Sequence, residues 1–307
     1  MIRYVEHNRI DRSKWDKCID ASEHGNIFVC SWYLDTVAGP WEALVFNDYD
    51  AVFPIAPAAK FGLNYLYQPF FTRYFGVYSK SRVTAEVTTS FLNNIPEKFR
   101  YMEFCFHESQ SINGSGFELK EKVFQELDLS LPYEKLHSGF KDNGKRSIKK
   151  AVKSAHIIKE GITGSEVVDL FKKTKGNELE VFDTEDYKKL VSLMNNCTEQ
   201  GFSESFGIYS EKGELSAAAF FMRYRNRYVF LKSGLTDEGK NNGHMYLIFD
   251  TFLRKHAESG YILDFGGSSV ASVARFYKNF GAKDCVYLQV KKNKLPTLVK
   301  WLKSLKK

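Results

Sequence analysis

Long apolar runs are missing from this sequence. No stretch approaches the ~18 consecutive apolar residues of a membrane-crossing helix, so no stable membrane insertion is expected. Cysteine is sparse: Cys18, Cys30, Cys105, Cys197 and Cys285 are scattered, odd in number and never spaced as C-x-x-C. That pattern offers neither a zinc site nor a disulfide framework, and it suits a reducing compartment. The seven histidines lie far apart and no H-E-x-x-H occurs, so no metal is expected. The opening MIRYVEHNRIDRSKWDK has no apolar segment of signal-peptide type, and a cytoplasmic protein is the expectation.

What is present fits a soluble α/β protein of some size. The 307 residues are 43% hydrophobic and 26% charged, and that length suits two domains better than one core. Aromatic residues reach 15%, enough to fill cores or line a cleft. The net charge of +7 is concentrated in two places. KDNGKRSIKKAVKSAHIIK, residues 141–159, holds seven basic residues, and the tail from Lys291, KKNKLPTLVKWLKSLKK, holds seven more. Clustered positive charge points to a polyanionic partner.

The order of elements repeats. In the first half, DRSKWDKCIDAS predicts a helix capped by Asp11, and SWYLDTVA a second one capped by Ser31. WEALVFN, AVFPIAPAA and LNYLYQP predict strands, RVTAEVTTSFLNN a helix, and YMEFCF and FELKEKVFQELDL two more strands. From about residue 165 the same order returns. SEVVDLFKKTKGN and DTEDYKKLVSLMNNC are helices, and SESFGIYS, ELSAAAFFMRY and RYVFLKSG form a meander. GHMYLIFDTFLRKHAESG is a helix ending at Gly260, YILDF a strand, ASVARFYKNF a helix and DCVYLQV a last strand. An antiparallel meander followed by a helix and a parallel strand, used twice, predicts two tandem α/β domains, each a mixed sheet flanked by helices. The expected boundaries are 1–140 and 141–307.

Four stretches, NGKRSIKKAVKSAHI, SGLTDEGKNNGHMYLIFDTF, YILDFGGS and RFYKNFGAK, resemble a known family. Together with YQPFFTRYFGVYS in the first half, they are similar to the double-GNAT, Fem-type aminoacyltransferases and their uncharacterised bacterial relatives in the GNAT superfamily of N-acetyltransferases. The resemblance implies an acyltransferase that moves an acyl group from acyl-CoA or aminoacyl-tRNA to an amine, without a metal. Aligning Phe276 and Phe280 on the family's F-x-x-x-F puts Tyr277 at the position of the Fem active-site lysine. Lys278 follows one residue later, about 100° further round a helix. Acetyl-CoA enzymes of the fold carry Q/R-x-x-G-x-G/A before the central helix. The nearest stretch here is Lys240-Asn-Asn-Gly243-His-Met245, which lacks the final small residue.

These motifs give the candidate residues. Asp264, before Gly266 and Gly267, is either a strand-end turn residue or a carboxylate aimed from a strand end at an attacking amine. Tyr277 either fills the core or hydrogen-bonds developing charge. Lys278 is either a surface lysine or a cation for the oxyanion. Gly239, Lys240, Asn242, Gly243, His244 and Met245 form either a polar helix cap or a site for the donor's phosphates on backbone N–H groups. Arg146, Lys149 and Lys150 lie on a helix whose apolar stripe is Ile148, Ala151, Val152 and Ala155. No acid lies between Asp142 and Glu160, so internal ion pairs do not explain the charge; phosphate of tRNA or of the acceptor is the competing explanation. Gln68, Thr72 and Arg73 either close the first core or line an inter-domain cleft. Leu295, Leu298, Val299, Leu302 and Leu305 form a stripe that either docks on the body or touches anionic lipid peripherally.

Overall fold

Asp11 starts the first helix as a cap should, accepting the Lys14 backbone N–H at 3.0 Å. A computed structural model describes residues 1–107, 110–112, 116–154, 156–176, 182–267 and 270–296. The chain divides into one unit of Met1–Lys122 with the chain from Val286, and another of Val123–Cys285. These units do not coincide with the halves 1–140 and 141–307: residues 123–140 pack with the second unit, and the end of the last strand belongs to the first.

The first unit runs β1 (Ile2–Val5), α1 (Arg12–Ala21), α2 (Ser31–Val37), β2 (Glu42–Phe46), β3 (Ala51–Ile55), β4 (Pro57–Lys60), β5 (Leu63–Leu66), β6 (Tyr78–Ser79), α3 (Ala85–Asn93) and β7 (Phe99–Phe106). β1, β2, β3 and β6 pair antiparallel. β4 and β5 form a hairpin, and β5 runs parallel to β7 across α3. Trp15 and Trp41 stack edge-on at 4.6 Å, both buried, and the Trp15 indole donates to the Val29 carbonyl at 2.8 Å.

The second unit begins within β8 (Glu118–Asp128), followed by α4 (Tyr133–Ser138), α5 (Asp142–Lys153), β9 (Ile157–Glu160), α6 (Gly164–Thr174) and α7 (Thr184–Glu199). Then come β10 (Ser203–Tyr209), β11 (Leu215–Tyr224), β12 (Arg227–Leu235), α8 (Asp237–Asn242), α9 (His244–His256), β13 (Ile262–Gly266) and α10 (Ala271–Lys278). Its strands are ordered β9-β10-β11-β12-β13-β8, antiparallel except for β12 with β13. The final strand, β14 (Lys283–Asn293), pairs Leu288–Asn293 antiparallel with β7. Reciprocal capping boxes, Thr163 with Glu166 and Asp183 with Asp186, start α6 and α7.

Helices cover both faces of the second sheet. On one face Phe221 stacks on Phe252 at 4.2 Å and Phe230 meets Phe249 at 5.0 Å, so α9 seats on β11 and β12. On the other, a Cβ at Gly234 would stand 2.6 Å from the Phe171 backbone nitrogen, so α6 lies almost directly on β12. Each buried phenylalanine stabilises the unit by about 1.5–3 kcal/mol. The predicted meander, central helix and parallel strand are all present. The central helix stops at His256, four residues before Gly260, because Ala257 is already extended. The short helices α4 and α8 have no counterpart in the sequence-based reading. The amphipathic stripe beyond Leu295 lies outside the described residues.

Candidate functional site

The parallel pair β12–β13 is joined over only three residues. Arg227, Tyr228 and Val229 face Ile262, Leu263 and Asp264; from Phe230 onward the edge of β12 has no strand paired to it among the described residues. The strands part, and backbone N–H and C=O groups on that edge are left to other partners. A bulge adds to this. Phe221 pairs with Phe230 and Phe220 with Lys232, so Leu231 is an extra residue in β12. Bulges of this kind re-aim side chains and backbone and recur beside active sites.

Asp264 lies at the base of the parting and is wholly buried. Its Oδ1 accepts the Gly266 backbone N–H at 2.9 Å, and Oδ2 lies 3.6 Å from Arg227 Nη1. Arg227 also donates to Glu126, the residue opposite Asp264 on β8. Gly266 takes φ +84° where the register between β13 and β8 shifts, a backbone state that an L side chain resists. The acid and the glycine therefore build the strand end together, and Asp264 is the buried member of a partly exposed ion cluster with Arg227 and Glu126. Ser268 and Ser269 lie outside the described residues.

Tyr277 and Lys278, neighbours on α10, have separate surroundings. The Tyr277 ring is buried against Phe265 at 5.0 Å and Phe230 at 6.2 Å. Lys278 is half-exposed and ion-pairs with Asp284 at 2.6 Å, and Asp284 also accepts from Gln125 at 2.9 Å. These two bonds hold the Asp284 carboxyl below the usual carboxylate range.

The 239–245 stretch is a short helix joined to α9 by a left-handed glycine. Thr236 caps α8 by accepting the Gly239 N–H at 3.0 Å. Gly239 is pressed against the Ser216 carbonyl. Gly243 takes φ +78°, and a Cβ there would stand 2.6 Å from the Ser147 carbonyl oxygen of α5. Both glycines thus have a packing reason to be glycine. His244 is buried, its Nδ1 2.7 Å from Ser216 Oγ and its Nε2 3.1 Å from Ser154 Oγ. Burial, then the nearby His156, lowers its pKa. Met245 is buried, Lys240 exposed and Asn242 between.

The close approach at Gly243 brings the basic helix to this turn. α5 is held there at its start too: Lys141 N–H donates to the Asn279 carbonyl at 3.0 Å, and Tyr246 Oη accepts from Asn143 and Asn279 at 3.1 and 2.8 Å. Ile148 and Ala151 are buried, and Arg146, Lys149 and Lys150 are exposed. Val152, expected on the apolar stripe, is 62% exposed; Ala155 lies outside the described residues. Among the described residues the stripe is narrower than the sequence suggested, because only Ile148 and Ala151 of it join the core that α9 packs into.

In the first unit, Gln68 is a turn-builder. Its Nε2 donates to the Thr72 carbonyl at 2.9 Å and also to the Arg73 carbonyl, and its Oε1 accepts the Cys105 N–H at 2.7 Å. Phe71 takes φ +68° within that turn, its carbonyl held by Tyr33 Oη at 2.6 Å. Thr72 Oγ1 is buried without a partner among the described residues. The Arg73 guanidinium lies over the Tyr74 ring at 5.9 Å.

No family model matches the chain, and no curated protein matches it. Solved structures do. FemX matches with a TM-score of 0.63 at 13% identity over 93% of this chain and 96% of that one. L-PGS from Bacillus licheniformis matches at 0.57 and 12% identity, over 95% of each chain. A tandem GNAT protein from the clavulanic acid biosynthesis pathway matches at 0.57 and 10% identity, over 97% of this chain and all of that one. The chain has the fold of FemX and of that tandem GNAT protein.

Within this GNAT fold, one residue at the parted strands escaped the sequence reading. Lys232 follows the bulge and has its Nζ over the Phe171 ring at 3.7 Å and the Phe182 ring at 4.9 Å. Burial pushes its ammonium down to about 8. Strand alternation alone would put Lys232 on the side of Phe230; a bulge is invisible to such a pattern, and no motif marks it. Among the described residues no group of three or more His, Cys, Asp or Glu could hold a metal, and no helix is long and apolar enough to cross a membrane.

Proposed function

We propose that this chain is an N-acyltransferase that takes an acyl group from an activated, phosphate-bearing carrier, an acyl-CoA or an aminoacyl-tRNA, and gives it to an amine. The observation that carries this reading is the parting of β12 from β13 beyond Val229, with a bulge at Leu231, in a tandem GNAT fold. An acyl carbonyl laid along that free edge would meet backbone N–H groups already fixed in place. The acceptor amine loses a proton and attacks the carbonyl carbon. The oxygen becomes an oxyanion, held by those N–H groups, and the carrier leaves as a thiolate or a ribose alkoxide that takes up a proton. Preorganised donors of this kind stabilise such transition states by about 3–4 kcal/mol each. In this reading Asp264 positions the strand end through Gly266 and Arg227. The exposed Arg146, Lys149 and Lys150 of α5, beside the Gly243 turn, meet the carrier's phosphates. Both carriers are cytoplasmic, and so is the proposed site of action.

A catalytically degenerate GNAT-fold protein that binds an anionic ligand is the second reading. Two observations favour it: Lys278 is engaged by Asp284, and Gly239 and Gly243 are occupied by packing. A thermal-shift series with CoA, acetyl-CoA, and charged and uncharged tRNA separates the readings. The first predicts a rise in Tm with one carrier, and acyl loss from that carrier when an amine is added. A rise without acyl loss over a panel of amines supports the second, and no shift with any carrier contradicts the first.

A further inference from the structure

A partly buried ammonium and a buried hydroxyl face the same aromatic cluster between α6, α7 and β12. The extra residue Leu231 reverses the alternation of β12, so Phe230 faces α9 while Lys232 faces α6. There the rings of Phe171, Phe182 and Tyr187 meet one another at 5.9–6.3 Å between centroids. Lys232 lies over two of them and has neither an ion pair nor a hydrogen bond among the described residues. The Tyr187 hydroxyl is buried and likewise lacks a partner among the described residues. Gly176 makes room for it, since a Cβ there would stand 2.5 Å from Tyr187 Oη. Of the other charged groups, Lys172 of α6 lies over the Tyr187 ring at 5.0 Å and adds positive potential. A buried hydroxyl without an acceptor is costly in any fold, and a cation half withdrawn from water beside it adds to that cost.

We propose that Lys232 and Tyr187 form a recognition site for a monoanionic carboxylate whose apolar remainder lies against Phe171 and Phe182. Both polar groups offer hydrogens, so the ligand must supply acceptor oxygens. A carboxylate has two, one for each donor. One ammonium balances one negative charge; a phosphate dianion would leave a second charge among ring faces that repel it. The site stands on these groups alone and would remain if the chain transferred no acyl group.

The test is calorimetric titration of the full chain at pH 7 with phenylacetate and with inorganic phosphate, in wild type, Lys232→Met and Tyr187→Phe. Lysine-labelled NMR, with Lys232 assigned by its loss in the Met variant, follows its titration with and without phenylacetate. Saturable phenylacetate binding is expected, stronger than phosphate binding. Lys232→Met should weaken it at least tenfold and Tyr187→Phe about fivefold. Bound carboxylate should raise the Lys232 pKa, because an adjacent negative charge favours the ammonium. Tyr187→Phe keeps the ring and carries the test if Lys232→Met does not fold. No saturable uptake of phenylacetate by folded wild type, equal affinities in variants that fold, or preference for phosphate would each overturn the proposal. So would a fall in the Lys232 pKa in Glu178→Gln or Glu180→Gln, residues outside those described, since the chain would then supply its own acceptor.

Discussion

Gly243 combines a φ of +78° with a carbonyl 2.6 Å from where a side chain would begin. An alanine there meets two penalties, about 1–2 kcal/mol for the left-handed backbone and about 1–3 kcal/mol for displacing α5. Gly213 has φ +79° with nothing within 4 Å, so Gly213→Ala meets only the first. Urea denaturation should therefore show Gly243→Ala losing clearly more stability than Gly213→Ala; equal losses would mean that α5 does not press on this turn. Glu204 makes a second claim at this scale. Burial works against its charged form, but hydrogen bonds from His256, Tyr228 and Lys255 outweigh it and hold the carboxyl down to about 2. A carboxyl depressed by folding stabilises fully above its unfolded pKa of about 4.3, and that contribution disappears as pH falls through about 2. Glu204→Gln should cost about 2–3 kcal/mol at pH 7, with the gap to wild type closing between pH 4 and pH 2 in chemical denaturation. A gap independent of pH would assign the loss to packing.

The basic helix α5 is the element on which structure and proposed function meet. Its buried residues, Gly144, Ile148 and Ala151, fix its seat, and Arg146, Lys149 and Lys150 are exposed. Arg146→Ala should weaken binding of the phosphate-bearing carrier more than Lys150→Ala, because a guanidinium holds two phosphate oxygens at once. The loss should be about tenfold to a hundredfold, and the salt dependence should become shallower. Titrations of both variants at two salt concentrations, with Tm as the control for folding, check this; equal affinities would make α5 an ordinary solvated face. The sequence marked this helix because charge and apolar spacing are local properties. It did not mark Val152 as exposed or Gly243 as the helix's footing, since both depend on which neighbour arrives from elsewhere in the chain. The same limit applies on α10. Tyr277 and Lys278 looked like one functional pair, and only packing separates a ring among phenylalanines from an amine bonded to Asp284.

The double-GNAT fold was legible over the whole chain because its units are set by local signals. Asp11 and Asp183 cap their helices as their types predict, whereas Ser31, expected as a cap, is the first residue of α2 behind Cys30; the Lys-Gly and Arg-Asn turns join the meander. The division of the chain was less legible. Nothing local to β14 shows that Leu288–Asn293 will pair with β7, nearly two hundred residues earlier. The parting of β12 from β13 was hidden for the same reason, since nothing in either strand's own sequence fixes how far it pairs with the other. That parting carries the central claim, and hydrogen exchange tests it directly. With whichever carrier raises the Tm bound in its acylated form, backbone amides of residues 230–235 and of the β13 end at 264–267 should exchange markedly more slowly than in the free chain. A carrier that binds and leaves those amides unchanged, protecting another surface instead, would contradict the account.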